Sequence, residues 1–283
     1  MPTSVNLQTA LRFEEVAALL EAQNGNPERA RMYQRAAEAL RRSPRSVRQI
    51  LDTEGEAGLA RVPGIGEALA RQIRTTLSSG RLPILERLRG ETDPVAMLAS
   101  VPGIGRKIAH RLHHDLGIDT FEELEAAAND GRLELLAGFG QKKVSSVADS
   151  LQGRTGRAGV SSSSIPPVEE VLSVDAEYRE KAAANALPKI APRQFNESNQ
   201  ASLPVLHTRR GDREYMAVFS NTARAHKLER TRDWVIVYAD QGAEELQYTV
   251  VTGREGALAG KRVVRGRDAE CRAYYESHQP VAV

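Results

Sequence analysis

Leu59-Ala60-Arg61-Val62-Pro63-Gly64-Ile65-Gly66 runs straight into Glu67-Ala68-Leu69-Ala70-Arg71-Gln72-Ile73. Residues 98–112 repeat the pattern as Leu98-Ala99-Ser100-Val101-Pro102-Gly103-Ile104-Gly105, then Arg106-Lys107-Ile108-Ala109-His110-Arg111-Leu112. A looser third copy reads Leu135-Leu136-Ala137-Gly138-Phe139-Gly140, then Gln141-Lys142-Lys143-Val144. The first glycines are 39 and 35 residues apart, a period that marks an internal repeat. Each copy reads as a helix that ends before the glycines, a Gly-hydrophobe-Gly reversal, and a second helix. Glycine tolerates the positive φ of such a turn and lets another backbone come close. The hydrophobe between the glycines pins the turn to a core. The first amides of the second helix have no intrahelical acceptor, so they and the positive end of the helix dipole form a small anion site. Such a device grips a phosphate and reads no base.

The pattern is identified as a helix-hairpin-helix motif. It makes Gly64, Ile65, Gly66 and Arg71, then Gly103, Ile104, Gly105, Arg106 and Lys107, then Gly138, Gly140, Lys142 and Lys143 the candidate DNA-binding residues. The second copy ranks first, because Arg106 and Lys107 add charge beside the amides. The first copy carries Glu67 there, which repels phosphate, although Arg71 and Arg74 follow. The competing reading is a helix reversal with packing duty alone.

Outward from the repeats, residues 5–22 and 27–42 read as two helices with Leu11, Val16, Leu19 and Leu20 at helical spacing. Asn26-Pro27-Glu28 gives a cap and a first-turn proline, and Pro44 ends the second helix. Residues 5–151 resemble the N-terminal part of family X DNA polymerases, the DNA polymerase beta-like repair enzymes. The resemblance rests on Arg31-Met32-Tyr33-Gln34-Arg35-Ala36-Ala37, both Val-Pro-Gly-Ile-Gly turns, and Leu116-Gly117-Ile118-Asp119-Thr120-Phe121-Glu122-Glu123-Leu124. It implies a helical lyase-like domain at 1–90 and a second helix-hairpin-helix domain at 91–152. It further implies hairpins that clamp nicked, gapped or duplex DNA by its backbone. It also implies a monovalent cation, sodium or potassium, held by the backbone carbonyls of Ala60, Val62 and Ile65 and of Ala99, Val101 and Ile104. No other cofactor is expected.

Two departures separate the chain from the family's chemistry. The position matching the lyase nucleophile is Gln72, and the usual lysine neighbours match Ala68 and Ile84. Of 39 basic residues 32 are arginine, and no lysine precedes Lys107. A Schiff base needs an unprotonated amine, and a guanidinium stays protonated. Two-metal nucleotidyl transfer needs clustered carboxylates, and no Asp-Xaa-Asp pair or Gly-Ser turn follows residue 152. No catalytic residue is assigned. His207, His226 and His278 are too scattered to build a histidine-rich nuclease site.

Gly153 to Pro167 reads as a flexible tether with Arg154 and Arg157 in it. Residues 168–283 then form a small antiparallel α+β domain: a helix from Val168 to Ala186, strands at 203–208, 214–220, 234–238 and 247–252, and a helix from Asp268 to Ser277. Arg209 to Arg213 is a hairpin signal, and the apolar run Trp234 to Tyr238 a central strand. Between strands lies a polar cluster, Asn221 to Asp233. It reads as a solvated crossing, a phosphate grip, or a general base in His226 oriented by Asp233. The fold class is therefore multidomain: an all-α helix-hairpin-helix half and an α+β half.

Hydrophobic residues at 41% and charged residues at 27% describe a globular chain rather than a disordered one. No run approaches a membrane span, and Met1-Pro2-Thr3-Ser4 opens no signal pattern, so a cytoplasmic protein with no membrane partner is expected. The single Cys271 excludes an internal disulfide or cysteine-rich zinc site. Residues 1–150 carry 20 basic and 20 acidic side chains, so any polyanion site must be local. The leading expectation is a DNA-binding repair accessory without sequence preference, with a repair protein as a further partner of the C-terminal domain. An enzyme (a lyase or polymerase relative, or a nuclease in the C-terminal domain) and a protein-interaction module stand as alternatives.

Overall fold

The computed structural model describes residues 4–90, 94–99, 101–118, 121–129, 131–136, 139–152, 165–192, 195–198, 200–240 and 245–278. Most of the expected tether, residues 153–164, lies outside them, as do Gly138, Asp119 and Thr120. The chain divides into two compact units, one built on Met1–Glu91 and Leu187–Thr208. The other is built on Thr92–Ala186, Arg209–Gln241 and Glu245–Val283.

The first unit opens with α1 (Ser4–Ala22), α2 (Pro27–Arg42), α3 (Val47–Ala60), α4 (Glu67–Ser79) and α5 (Pro83–Leu88). Asn26 caps α2 as its sequence predicts, its side-chain oxygen accepting from the amides of Glu28 and Arg29 at 2.8 and 3.3 Å. Asn6, fully buried on α1, donates to the Arg45 carbonyl and accepts from the Val47 amide, both at 2.9 Å. That pair of bonds fixes the α2–α3 connection. Phe13, Val16, Tyr33, Leu40, Leu59, Leu69 and Ile73 fill the core, with the Phe13 and Tyr33 rings edge to face at 5.3 Å. Gly55 breaks the regularity of α3 at φ 69°.

Leu187–Thr208 joins this unit although it is remote in sequence. It carries β1 (Lys189–Ile190) and the start of β2 (Leu203–Arg210), paired antiparallel with Ile190 opposite Leu203. Gly90 permits the approach: a Cβ there would stand 2.9 Å from Ile190 Cδ1. Gln23 donates to the Leu88 carbonyl at 2.7 Å, and its oxygen meets His207 Nε2 at 3.1 Å. Burial first, then the positive charges of Arg87 and Arg29, push the His207 pKa down to about 3.

In the second unit α6 (Pro94–Leu98), α7 (Arg106–Asp115), α8 (Phe121–Asn129), a single 3-10 turn (Arg132–Leu135) and α9 (Gln141–Gln152) close over one core. Leu98, Val101, Ile104, Leu112, Leu124, Leu133, Leu136, Phe139 and Val147 belong to it. The third repeat therefore begins on a 3-10 turn rather than an α-helix. Gly131 at φ 81° resets the chain only a few residues before the hairpin, too short a run for α-helix.

The second unit also holds α10 (Val168–Ala183), β3 (Arg213–Phe219), α11 (Ala223–Lys227), β4 (Val235–Asp240), β5 (Glu245–Thr252), β6 (Arg262–Val264) and α12 (Asp268–Ser277). Within the second unit β3 to β6 run antiparallel in chain order, confirming the α+β class. β4 is central: Val235 faces Phe219 on β3 and Val250 on β5, and every residue from Val235 to Ala239 is buried. Trp234 stands just before the strand rather than in it, and α10 stops at Ala183, short of the expected Ala186. Cys271 on α12 is buried, and its sulfur accepts from the Val264 amide at 3.3 Å. Burial pushes its thiol pKa up, against that hydrogen bond.

Candidate nucleic-acid interface

The three repeats share one backbone hydrogen-bond ladder. In the first, the Val62 amide donates to Leu59, the Ile65 amide to Val62, and the Ala70 amide to Gly66, at 2.9–3.0 Å. In the second, Val101 donates to Leu98, Ile104 to Val101 and Ala109 to Gly105, at 2.9–3.1 Å. In the third, Leu136 donates to Leu133, Phe139 to Leu136 and Val144 to Gly140, at 2.9–3.1 Å. The hydrophobe of each turn, Ile65, Ile104 or Phe139, is buried to 5% exposure or less. Three sequences that differ in side chains thus reach one backbone solution.

That solution leaves the helix starts uncovered. Gly66 and Gly105 are the N-caps of α4 and α7, both in extended geometry, and neither helix has a side-chain cap. Gly66, Gly105 and Gly140 are exposed, and a Cβ built on any of them meets no atom within 4 Å. Gly64 and Gly103 have φ of 86° and 85°, the left-handed turn that the sequence requires of glycine. Around Gly103 there is also open space, whereas Gly64 packs on Ala39 of α2, 3.3 Å from a notional Cβ. An acceptor can therefore reach the first amides of each second helix without meeting a side chain of the turn.

The charges differ between copies. At the second turn Arg106 and Lys107 are both exposed. At the first, Glu67 is exposed, Arg71 is half buried, and Arg74 lies 3.0 Å from Glu56. At the third, Lys142 is exposed, while Lys143 sits over the Phe139 ring of its own turn, Nζ 5.5 Å from the centroid. Gly138 lies outside the described residues. The second and third turns share one core; the first belongs to the other unit.

The carbonyls of interest lie in the same turns. Those of Val62 and Val101 each accept one bond, from Ile65 and Ile104, and keep a second lone pair. Ala60 is the last residue of α3 and Ala99 follows α6 directly, so both stand where helical carbonyls lose their i+4 donor. The carbonyls of Ile65 and Ile104 lie between the two glycines of their turns.

Gln72 on α4 is engaged: its side-chain oxygen accepts from the Tyr33 hydroxyl at 2.9 Å. The general-base pair considered for the polar cluster is not assembled. His226 Nε2 meets Asn221 Oδ1 at 2.7 Å, while Asp233 accepts from the Thr252 hydroxyl at 2.6 Å and from Arg262 at 2.8 Å. Burial pushes the Asp233 carboxyl up, but the Thr252 bond and the Arg262 charge outweigh it, so it ionises below its ordinary range. A cleft of about 720 Å³ opens beside it in the second unit. Arg132, Arg224, Arg254 and Arg265 line it against Glu123, Asp233, Glu255 and Asp268, a balance that does not favour a polyanion. The guanidiniums of Arg224 and Arg265 both stand over the ring of Trp234 in its wall, at 5.5 and 5.2 Å.

Comparison with known proteins follows the same division. Residues 4–82 match the model of a helix-hairpin-helix domain, and residues 95–152 that of a SAM-like helix-hairpin-helix tandem. Over 146 residues the chain is 28% identical to the DNA polymerase/3'-5' exonuclease PolX of Bacillus subtilis (strain 168). That match covers 51% of this chain and 24% of the relative, so the chain spans about a quarter of the relative's length. The N-terminal half is thus a helix-hairpin-helix region similar to that of family X polymerases. None of the described helices is long and apolar enough to cross a membrane.

Proposed function

We propose that this chain binds DNA through the phosphate backbone and serves as a repair accessory without nucleotidyl-transfer or lyase chemistry of its own. The observation that carries the reading is the shared ladder with its N-cap glycines open to solvent. Each second helix offers amide donors and the positive end of its dipole to an anion, with no side chain in the way. Arg106 and Lys107 make the second turn the strongest contact, Lys142 supports the third, and Glu67 weakens the first. The likeness to PolX, a DNA polymerase and exonuclease, supports DNA as the ligand. Gln72 argues against the lyase step, because an amide nitrogen forms no imine.

Gly105 gives the clean test. Its φ of −77° and ψ of 165° suit any residue, and the space around it is open. Gly105→Val should therefore fold normally while its side chain covers the amides. In a fluorescence-anisotropy titration with gapped duplex, binding should fall at least tenfold and the melting temperature should hold. Wild-type affinity should drop steeply with salt and vary little with sequence. Unchanged affinity in Gly105→Val, or a flat salt response, would overturn the reading.

We further propose that the carbonyls of Ala60, Val62 and Ile65, and those of Ala99, Val101 and Ile104, hold a monovalent cation. A bound cation would supply charge between turn and phosphate. Replacing potassium with tetramethylammonium at equal ionic strength should then weaken DNA binding severalfold, and equal affinity in the two salts removes the ion from the account.

A further inference from the structure

Helix α7 continues the second turn with His110 and His114 one helical turn apart. Their rings lie nearly parallel, 11° between planes and 5.8 Å between centroids. Both are accessible: His110 is exposed, and the His114 side chain is 62% exposed. His114 Nδ1 faces Asp115 Oδ1 at 3.3 Å, and Asp115 also lies 3.6 Å from Arg111. An imidazole whose Nδ1–H is directed at a carboxylate presents the Nε2 lone pair as a ligand, the arrangement that orients metal-bound histidine. Two imidazoles on one ion, each with a metal–nitrogen bond of roughly 2.0–2.1 Å, have ring centres about 5 Å apart. Two exposed rings at 5.8 Å are within reach of that spacing, and rotation about the side-chain bonds turns their nearly parallel planes so that the two ring nitrogens face one point.

We propose that His110 and His114 form a two-imidazole site for a divalent transition-metal ion of the zinc or copper class. Imidazole nitrogen selects these ions over magnesium and calcium, which take oxygen. Two protein ligands leave the remaining positions of the ion to water or to an incoming oxygen. Arg106, His110 and His114 follow at intervals of four along one stripe of α7, so the ion would stand in line with the amides of the second turn. Where DNA lies on that turn, a phosphate oxygen can complete the coordination. This last step rests on the DNA-binding reading; the metal site does not.

The full chain, stripped with chelator, is titrated with Zn²⁺ against a chromogenic competitor and with Cu²⁺ by electron paramagnetic resonance. One ion per chain is expected, with nitrogen hyperfine structure from two imidazoles. His110→Ala and His114→Ala should each weaken binding at least tenfold. His113→Ala, off the stripe, should stay within twofold. The exposed positions leave the circular dichroism unchanged. Full binding by His110→Ala, or an equal loss in His113→Ala, overturns the site. Gapped-duplex affinity is then compared in Zn²⁺ and in EDTA. A severalfold gain that disappears in both His→Ala variants supports the phosphate link, and no gain overturns it. The Gly105→Val measurement is made without zinc, so the failure of one reading is distinguishable from the failure of the other.

Discussion

Gly253 and Gly103 show two ways in which a missing Cβ matters. A Cβ on Gly253 would lie 2.3 Å from the Leu258 carbonyl oxygen, a backbone atom that cannot swing aside. Gly253→Ala should therefore lower stability by about 2 kcal/mol or more, read as a lower melting temperature, because overpacking moves the backbone. Gly103 has open space but a φ of 85°, so Gly103→Ala is opposed by conformation alone, at about 1–2 kcal/mol. Gln72 makes a chemical prediction at the same scale. Borohydride treatment with abasic DNA should leave no trapped adduct on any side chain of residues 1–106, which contain no lysine. The turn glycines and the Asn26 cap could be read from sequence because a local conformational demand restricts residue type at one position. The Gln23–His207 contact could not, since its partners are 184 residues apart and neither side chain signals the other.

At the scale of elements, Arg262 is one of several side chains that tie α10 to the meander, beside Arg213, which meets Glu170 at 3.0 Å. Arg262 on β6 donates to both oxygens of Asp175 on α10 at 2.8 and 2.9 Å, and to Asp233, Thr252 and the Val250 carbonyl at 2.8–3.0 Å. Asp175 is 1% exposed, so removing its partner strands a buried carboxylate. Arg262→Ala should lower stability by about 3–5 kcal/mol in denaturant titration. The hydrophobic periods predicted α10, α12 and β2 to β5 almost to their ends, but not β1 or β6, strands of two and three residues in which no period can show. They could not predict the ion pair, because Asp175 occupies a buried helix position that the pattern assigns to an apolar residue. The 3-10 turn before the third hairpin escaped for a similar reason: Gly131 leaves too few residues for any period to show.

For the molecule as a whole, acid should act through the first unit. His207 binds its proton near pH 3 when folded and near 6.5 when unfolded. Above pH 6.5 both states are neutral and the group adds no pH dependence. Between 6.5 and 3 only the unfolded chain takes the proton, so stability falls with acid by up to about 1.4 kcal/mol per pH unit. His207→Gln should flatten that portion of the stability curve relative to wild type, measured by urea titration from pH 7 to 4.

Cys271 supplies an internal clock for the second unit. Its sulfur is enclosed by α12 and β6, engaged by the Val264 amide, and less acidic than an ordinary thiol. An alkylating reagent can reach it only when that packing opens. The rate of single-site labelling therefore times the excursions of the strand meander without any engineered probe, and added DNA should slow it only to the extent that binding restrains the unit.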